Sequence, residues 1–262
     1  MSVTPAPIPP KLASTYRGWE WAPFYRNQLG VVTHRLRRSG ETLFAKVAPA
    51  TTHPSLSQEA ERMRWAGNHL PVPTILDCDA EAGHQWLVTR ALPGEDATRH
   101  SLLQTDPARL VGALARGLSV FHALPVAECP WRFDLETSVP LATERVQQGL
   151  VEPSDLNEDF AHLTPEQALA QLLRTRPDSE DLVVCHGDYC FPNLLLTGEE
   201  VTGYVDLGEL GVACRWWDLA VATWSTIWNA GPGHEDAFTD AYGVARDEAH
   251  IQFYRLLYCL VS

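Results

Sequence analysis

Apolar and polar positions alternate over short stretches in the first third of the chain, which is the pattern of half-buried β-strands. A polar segment with a glycine, residues 37–41, separates the first two of these stretches and predicts a hairpin turn. One stretch instead has apolar positions at helical spacing and ends before Pro71. The strands are predicted at residues 31–36, 42–47, 74–77 and 85–89, and the helix at residues 57–69. This order predicts a small antiparallel sheet with one helix.

Helical periodicity dominates after residue 92. Asp106 precedes Pro107, a good N-cap followed by proline at the first helical position. Thr164 and Gln167 have the spacing of a capping box. Further helices are predicted at residues 216–228, 235–242 and 247–260. We therefore predict a flexible Pro-rich tail over 1–15, an N-terminal lobe over 16–92 and a C-terminal lobe over 93–262.

Composition restricts the class of protein. The 262 residues include 20 Lys and Arg against 33 Asp and Glu, a formal net charge of −13, and 45% are hydrophobic. This composition predicts a globular protein, and the negative charge argues against a nucleic-acid partner. No apolar run is long enough for a membrane span, and the N-terminus lacks a signal-peptide pattern. The six cysteines form no CxxC pair, so we predict reduced thiols in a cytoplasmic protein. A monomer and a homodimer are both open.

One polar segment interrupts the helical part and lies between predicted strands. Residues 182–185 predict a buried strand, and His186-Gly187-Asp188 and Asn193 follow it. Residues 194–196 and 201–205 predict a hairpin that ends at Asp206. Phosphoryl transfer needs one carboxylate that accepts the proton of the attacking hydroxyl, and an amide oxygen and a second carboxylate that bind magnesium. The spacing of Asp188, Asn193 and Asp206 is that of the kinase catalytic loop and its D-F-G segment.

With these motifs the chain resembles the aminoglycoside phosphotransferases, most closely the 3′-phosphotransferase branch with its kanamycin and neomycin kinases. The resemblance covers residues 44–257 and includes Val205-Asp206-Leu207-Gly208, Gly211-Val212-Ala213 and Trp217-Asp218-Leu219-Ala220. It implies an α+β, bilobal, protein-kinase-like fold, with a small antiparallel N-terminal sheet and a mostly helical C-terminal lobe. It also implies a transferase that uses ATP, or GTP, with Mg²⁺, and a role in antibiotic resistance.

The resemblance also implies roles for individual residues. Asp188 would be the catalytic carboxylate, with His186 bracing its loop, and Asn193 and Asp206 would bind magnesium. Lys46 would contact the nucleotide phosphates and pair with Glu59, or with Glu61 if the helix register differs by a residue or two. Phe44 would stack on adenine, unless it is a core aromatic. The remaining nucleotide contacts would come from the backbone of Arg90 and Ala91.

Three features depart from the family pattern. Gly30 is the sole glycine where the family has its phosphate loop, in Gln28-Leu29-Gly30. Glu209 stands where an arginine is usual. The acceptor positions, where the family has carboxylates, hold aromatic residues: Trp224, Trp228 and Tyr258. Glu158 is the expected remaining acid for an acceptor, in a segment that could equally be a solvated acidic loop.

The tryptophans at helical spacing admit two interpretations, core packing or an aromatic wall for a weakly charged acceptor. The predicted function is phosphorylation of a small-molecule hydroxyl, with an aminoglycoside as acceptor by resemblance. We expect weak activity on kanamycin-type polycations, because buried ammonium groups need carboxylate partners. The alternatives are a kinase of a less cationic compound, such as another antibiotic or a metabolite, and a non-catalytic nucleotide-binding pseudokinase.

Overall fold

The protein, represented by a computed structural model, is described over residues 7–27 and 30–261 and divides into two compact units. The first unit runs to Gly94 and also includes Thr202–Glu209, and the second comprises Glu95–Val201 and the chain from Leu210 onwards. The sequence-based boundary at residue 92 did not anticipate the return of 202–209 to the first unit. A backbone hydrogen bond holds this segment there, since the Tyr204 N–H donates to the Pro71 carbonyl at 3.1 Å.

A five-stranded antiparallel sheet forms most of the first unit, in the order β1-β2-β3-β5-β4. Its core face carries alternate strand residues, among them Leu36, Ala45 and Val88. The strands are β1 (Glu20–Arg26), β2 (Val32–Arg38), β3 (Glu41–Pro49), β4 (Ile75–Glu81) and β5 (His84–Arg90), and the helices are α1 (Pro10–Thr15) and α2 (Leu56–Ala66). The predicted sheet and helix are confirmed, and β1 is an additional strand that the sequence pattern did not reveal.

The prediction of a flexible tail is wrong over residues 10–15. Those residues form α1, and Leu12 is fully buried against the sheet core. A six-residue helix has little intrinsic stability, so burial of one leucine decides its conformation and leaves no periodic signal in the sequence. The tail prediction for residues 1–6 lies outside the described residues.

The second unit is mostly helical. Four of its helices, α5, α6, α7 and α9, contribute residues to one apolar core. The helices are α3 (Leu102–Thr105), α4 (Pro107–His122), α5 (Leu135–Gln147), α6 (Pro165–Arg174), α7 (Trp216–Ala230), α8 (Glu235–Tyr242) and α9 (Glu248–Val261). The caps predicted at Asp106 and Thr164 are present, and Thr164 and Gln167 form the capping box. The sequence pattern missed α5, whose interior contains Pro140.

Short strands carry the polar segment. They are β6 (Glu95–Asp96), β7 (Leu182–Cys185), β8 (Leu194–Thr197), β9 (Glu200–Tyr204) and β10 (Gly211–Cys214). The predicted hairpin corresponds to β8 and β9, and β9 continues into the first unit. The buried strand β7 pairs antiparallel with β10, a partner that the sequence did not suggest. Among the described helices, none combines the length and the apolar character needed to cross a membrane.

Candidate active site

The loop between β7 and β8 places Asp188 and Asn193 together. The Asn193 Nδ2 donates to the Asp188 Oδ2 at 2.8 Å and to the Asp188 carbonyl at 3.0 Å. The Asp188 N–H in turn donates to the Nδ1 of His186, a fully buried ring, at 3.3 Å. Asp188 is therefore fixed through its own side chain and its backbone, and His186 lies where a bracing residue would be expected.

Gly187 has a φ of 93°, in the region that residues with a Cβ rarely adopt. This conformation turns the chain between the end of β7 and Asp188. The glycine in His-Gly-Asp is thus explained by the backbone at this turn.

Asp218, at the start of α7, binds the backbone of the same loop. Its fully buried carboxylate accepts the N–H of His186 at 2.7 Å and the N–H of Gly187 at 2.9 Å. It also lies 3.0 Å from the His122 Nε2, which must donate because a carboxylate only accepts. The neighbouring Trp217 donates its indole N–H to the Gly187 carbonyl at 2.9 Å.

Two further contacts of the loop were missed by sequence reasoning. The Ser225 Oγ on α7 accepts the Phe191 N–H at 2.9 Å. The Tyr189 hydroxyl donates to the Leu114 carbonyl on α4 at 2.7 Å. The seven-residue spacing of Asp218 and Ser225 places both on one face of α7, and this spacing was the available signal.

The first unit contains a second cluster of predicted residues. The Lys46 Nζ lies 2.9 Å from the Glu59 Oε2 and 2.7 Å from the Asp206 Oδ1. Of the two glutamates left open by the sequence, Glu59 is therefore the partner of Lys46, and Glu61 is exposed. Asp206 has a φ of 61°, an unusual value for a residue with a side chain and one that concentrates at functional sites.

Burial and charge oppose each other in this cluster. Burial lowers the pKa of Lys46, but Asp206 and Glu59 outweigh it, so the pKa is raised. Burial raises the pKa of Glu59, and the Lys46 charge counteracts this only in part. At neutral pH Lys46 is a cation held between two carboxyl groups.

The residues predicted to contact adenine all lie in the first unit. Phe44 is half-buried on β3, edge-on to Phe24, with ring centroids 5.0 Å apart. The Arg90 N–H donates to the Thr74 carbonyl at 2.9 Å, and the Ala91 N–H donates to the Thr42 carbonyl at 3.1 Å. Both amides are thus used within the unit, which leaves the carbonyl groups of Arg90 and Ala91 as candidates for a purine edge.

The segment where the family has its phosphate loop includes Gln28 and Leu29, which lie outside the described residues. Gly30 follows with a φ of 82°. Glu209 is half-buried in the first unit, next to Gly208.

Three aromatic side chains predicted for the acceptor lie together in the second unit. The Tyr258 hydroxyl is 3.4 Å from the Asp188 Oδ1. The Tyr258 and Trp224 ring centroids are 6.4 Å apart, and Trp224 stacks on Trp228 at 5.6 Å with an interplanar angle of 18°. These rings on α7 and α9 extend from the carboxylate of the loop.

The acid that touches these aromatic rings is Asp159. Its Oδ2 accepts the Trp224 indole N–H at 2.9 Å and lies 3.2 Å from the guanidinium of Arg255. Glu158, the predicted contact, is exposed next to it. Arg255 is the sole arginine or lysine of α9, and a buried guanidinium needs an acid, which was the signal that sequence reasoning did not use.

Comparisons with known proteins agree with this geometry. Residues 30–256 match the model of the phosphotransferase enzyme family. An aminoglycoside 3′-phosphotransferase of Streptomyces fradiae is 38% identical, with 94% of this chain and 97% of the relative covered. A streptomycin 3″-kinase of Streptomyces griseus is 36% identical, with coverages of 95% and 94%.

Solved structures agree as well. The crystal structure of an aminoglycoside 3′-phosphotransferase of type VIII has a TM-score of 0.86 at 36% identity and covers 95% of this chain and 96% of that one. A Streptomyces rimosus aminoglycoside phosphotransferase in complex with ADP and streptomycin has a TM-score of 0.76 at 29% identity, with 92% of both chains covered.

The antiparallel sheet, the helical unit and the Asp188 loop define a kinase-like phosphotransferase, which confirms the fold class predicted from the sequence. Within that class, the chain belongs to the aminoglycoside phosphotransferase family.

Proposed function

We propose that this protein transfers the γ-phosphate of ATP to a hydroxyl group of a small molecule, with an aminoglycoside as the acceptor that its relatives suggest. The observation that carries the proposal is the fixed position of Asp188. Its carboxylate is hydrogen-bonded by Asn193, and its loop is bound to the buried Asp218 through two backbone amides.

Asp188 is the group that accepts the proton of the acceptor hydroxyl. Asn193 binds one carboxylate oxygen, Oδ2, and the Tyr258 hydroxyl lies close to the other, Oδ1. A carboxylate held in this way needs no reorientation when the hydroxyl attacks the phosphorus. A positioned general base contributes about 10²- to 10⁴-fold to rate, which sets the scale of the expected loss when it is removed.

Asn193 and Asp206 are the proposed magnesium ligands, and their chemistry fits that ion. Asn193 uses its Nδ2 to hold Asp188, and its Oδ1 is the atom proposed to bind the cation. Asp206 is exposed, and its carboxylate is an oxygen donor of the kind magnesium prefers. When bound, magnesium would neutralise charge on the nucleotide phosphates.

Lys46 is the proposed phosphate contact, oriented by Glu59. Phe44 and the carbonyl groups of Arg90 and Ala91 are proposed for the adenine. GTP is an alternative nucleotide that these contacts do not discriminate against. The intact pairing of Lys46 with Glu59 favours an active enzyme over a pseudokinase, despite Glu209 and the weak phosphate loop.

The test has a binding step and a transfer step. We expect Mg-ATP to raise the melting temperature of the purified protein in a thermal-shift titration. We then expect incubation with Mg-ATP and a panel of hydroxyl acceptors to yield a phosphorylated product by mass spectrometry. Asp188→Ala should abolish transfer and retain the Mg-ATP shift. Binding of ATP without transfer to any acceptor would instead favour the pseudokinase.

A further inference from the structure

Aromatic rings extend from the catalytic loop to the surface of the second unit. Tyr258 lies 3.4 Å from the Asp188 Oδ1, and its ring contacts Trp224. Trp224 stacks on Trp228 with the two rings 18° from parallel. We call Tyr258, Trp224 and Trp228 the aromatic band.

Burial separates the two interpretations of the tryptophans. Trp217 and Trp224 are 4% and 5% exposed, which agrees with core packing. Trp228 is 64% exposed, the largest value among the exposed large hydrophobic residues of the described chain. Burial of an indole is a large favourable term, so core packing does not account for Trp228. An exposed indole at the end of a stack, on the same band as Tyr258, is suited to a ring-shaped ligand.

The two charges beside Trp224 cancel each other. Asp159 is paired with Arg255, and the Arg255 guanidinium also lies over the Trp224 ring at 5.0 Å from its centroid. Arg255 has a nearly buried side chain, so its charge stays beside the rings. An ammonium group placed beside Trp224 would therefore meet a carboxylate, Asp159, that is already paired with Arg255, where an unpaired carboxylate would be needed to compensate its lost hydration.

We propose that Tyr258 and Trp228, joined through the buried Trp224, form the acceptor-binding surface and that this surface selects hydroxylated ring compounds with few ammonium groups over polyammonium aminoglycosides. This inference rests on the proposed function and names the class of its acceptor. Trp228 supplies an open ring face, Tyr258 places the acceptor next to Asp188, and the pairing of Asp159 with Arg255 removes the attraction for polycations.

The experiment compares kcat/KM for four acceptors. Kanamycin and neomycin are polyammonium compounds, lincomycin carries a single amine, and chloramphenicol is neutral. We expect lincomycin or chloramphenicol to exceed both polyammonium compounds. We also expect the KM of the preferred acceptor to stay nearly constant between about 0.05 and 0.5 M NaCl, because stacking is not screened by salt.

Variants of Trp228 test the surface itself. Trp228→Ala should raise the acceptor KM by about tenfold with the KM for ATP unchanged, and Trp228→Phe should restore most of the affinity. Trp228→Glu should raise kcat/KM for kanamycin relative to kcat/KM for the other acceptors. Leu173→Ala is the matched control, since Leu173 is a similarly exposed apolar residue of the same unit on α6. Circular dichroism and melting temperature would verify that each variant is folded.

Efficient, salt-sensitive transfer to kanamycin or neomycin that is indifferent to Trp228→Ala would overturn the inference and leave the proposed function intact. Failure of every acceptor, with the wild type as silent as Asp188→Ala, would contradict the proposed function and this inference with it.

Discussion

At the scale of single residues, the buried Asp218 organises the catalytic loop of the second unit, and the half-buried Lys46 organises the cluster of the first unit. Asp218 accepts hydrogen bonds from two backbone amides and from His122, whose Nδ1 lies 2.8 Å from the Tyr242 hydroxyl. Lys46 is held between Glu59 and Asp206. Each charge has several partners, so replacing either residue should affect activity and stability together.

Asp218→Asn should lower the free energy of unfolding by about 2–3 kcal/mol. One of the N–H groups that now donate to the Asp218 carboxylate would lose its acceptor and face the side-chain N–H₂ of the new asparagine. The loop that carries Asp188 would also lose an anchor, so we expect kcat to fall at least tenfold. Chemical denaturation and steady-state kinetics measure the two effects. The control is Glu136→Gln, which breaks an ion pair with Arg176 that is exposed on both sides and should change stability by less than about 0.5 kcal/mol. Equal effects of both substitutions would contradict the anchoring role.

Lys46→Met should raise the KM for ATP, lower kcat and reduce the free energy of unfolding by about 2 kcal/mol. The stability loss has a specific cause, since Glu59 is 5% exposed and would be left as a buried charge without its cation. Adding Glu59→Gln should therefore restore stability and not activity. A double variant that is no more stable than Lys46→Met would show that the charge on Glu59 is not the cause.

At the scale of elements, the catalytic loop depends on close packing against α4. A Cβ built at Gly117 would lie 2.5 Å from the Val201 Cγ2 and 2.9 Å from the Tyr189 hydroxyl. Tyr189 belongs to the loop and donates to the Leu114 carbonyl on α4. The glycine is thus required by the approach of other side chains and not by its own backbone angles.

Gly117→Ala should destabilise the protein by about 1–3 kcal/mol, because Val201 or Tyr189 must move to admit the methyl group. Displacement of Tyr189 should also lower kcat. Gly112→Ala on the same helix is the matched control, since its Cβ would meet the flexible end of Arg116 at 3.3 Å. The control should be neutral or stabilising by up to about 1 kcal/mol, since alanine favours helix. Urea denaturation of the two variants measures the difference in their free energies of unfolding. Equal free energies would contradict the packing argument.

Elements with strong local signals were predictable from the sequence, and those that depend on distant contacts were not. Alternation and the turn at residues 37–41 fixed the β2–β3 hairpin, and the caps at Asp106 and Thr164 fixed two helix starts. By contrast, α1 depends on the burial of Leu12, and β10 exists through its pairing with β7. The pairing of Asp159 with Arg255 joins residues 96 positions apart, which no local pattern encodes.

At the scale of the whole molecule, the burial of the cysteines determines how reactive their thiols are. All six are free, in agreement with the prediction of reduced thiols, and four are buried. Burial raises the pKa of the Cys259 thiol from 9.0 to about 11. Its neutral form therefore contributes stability that is fully present below pH 9.0 and is lost as the pH rises through about 11.

We expect iodoacetamide at a pH of about 8 to label the half-buried Cys190 first, Cys78 more slowly because burial raises the pKa of its thiol, and to leave Cys259 unmodified, since the thiolate is the reactive form. Peptide mass spectrometry of the labelled protein measures this order. Labelling in denaturant, where all six thiols should react, is the control. Labelling of Cys259 as rapidly as Cys190 in the native protein would contradict the burial of α9 at this position.

Helix α7 carries both the residues that hold the catalytic loop and the exposed Trp228, so the molecule can change its substrate without rebuilding its chemistry. Asp218 and Ser225 bind the loop of Asp188, whereas Trp224 and Trp228 belong to the aromatic band. Trp228 is 64% exposed, so divergence of substrate range is open to single changes at this position. A library restricted to that position would sample new acceptors while the phosphoryl-transfer machinery is inherited unchanged.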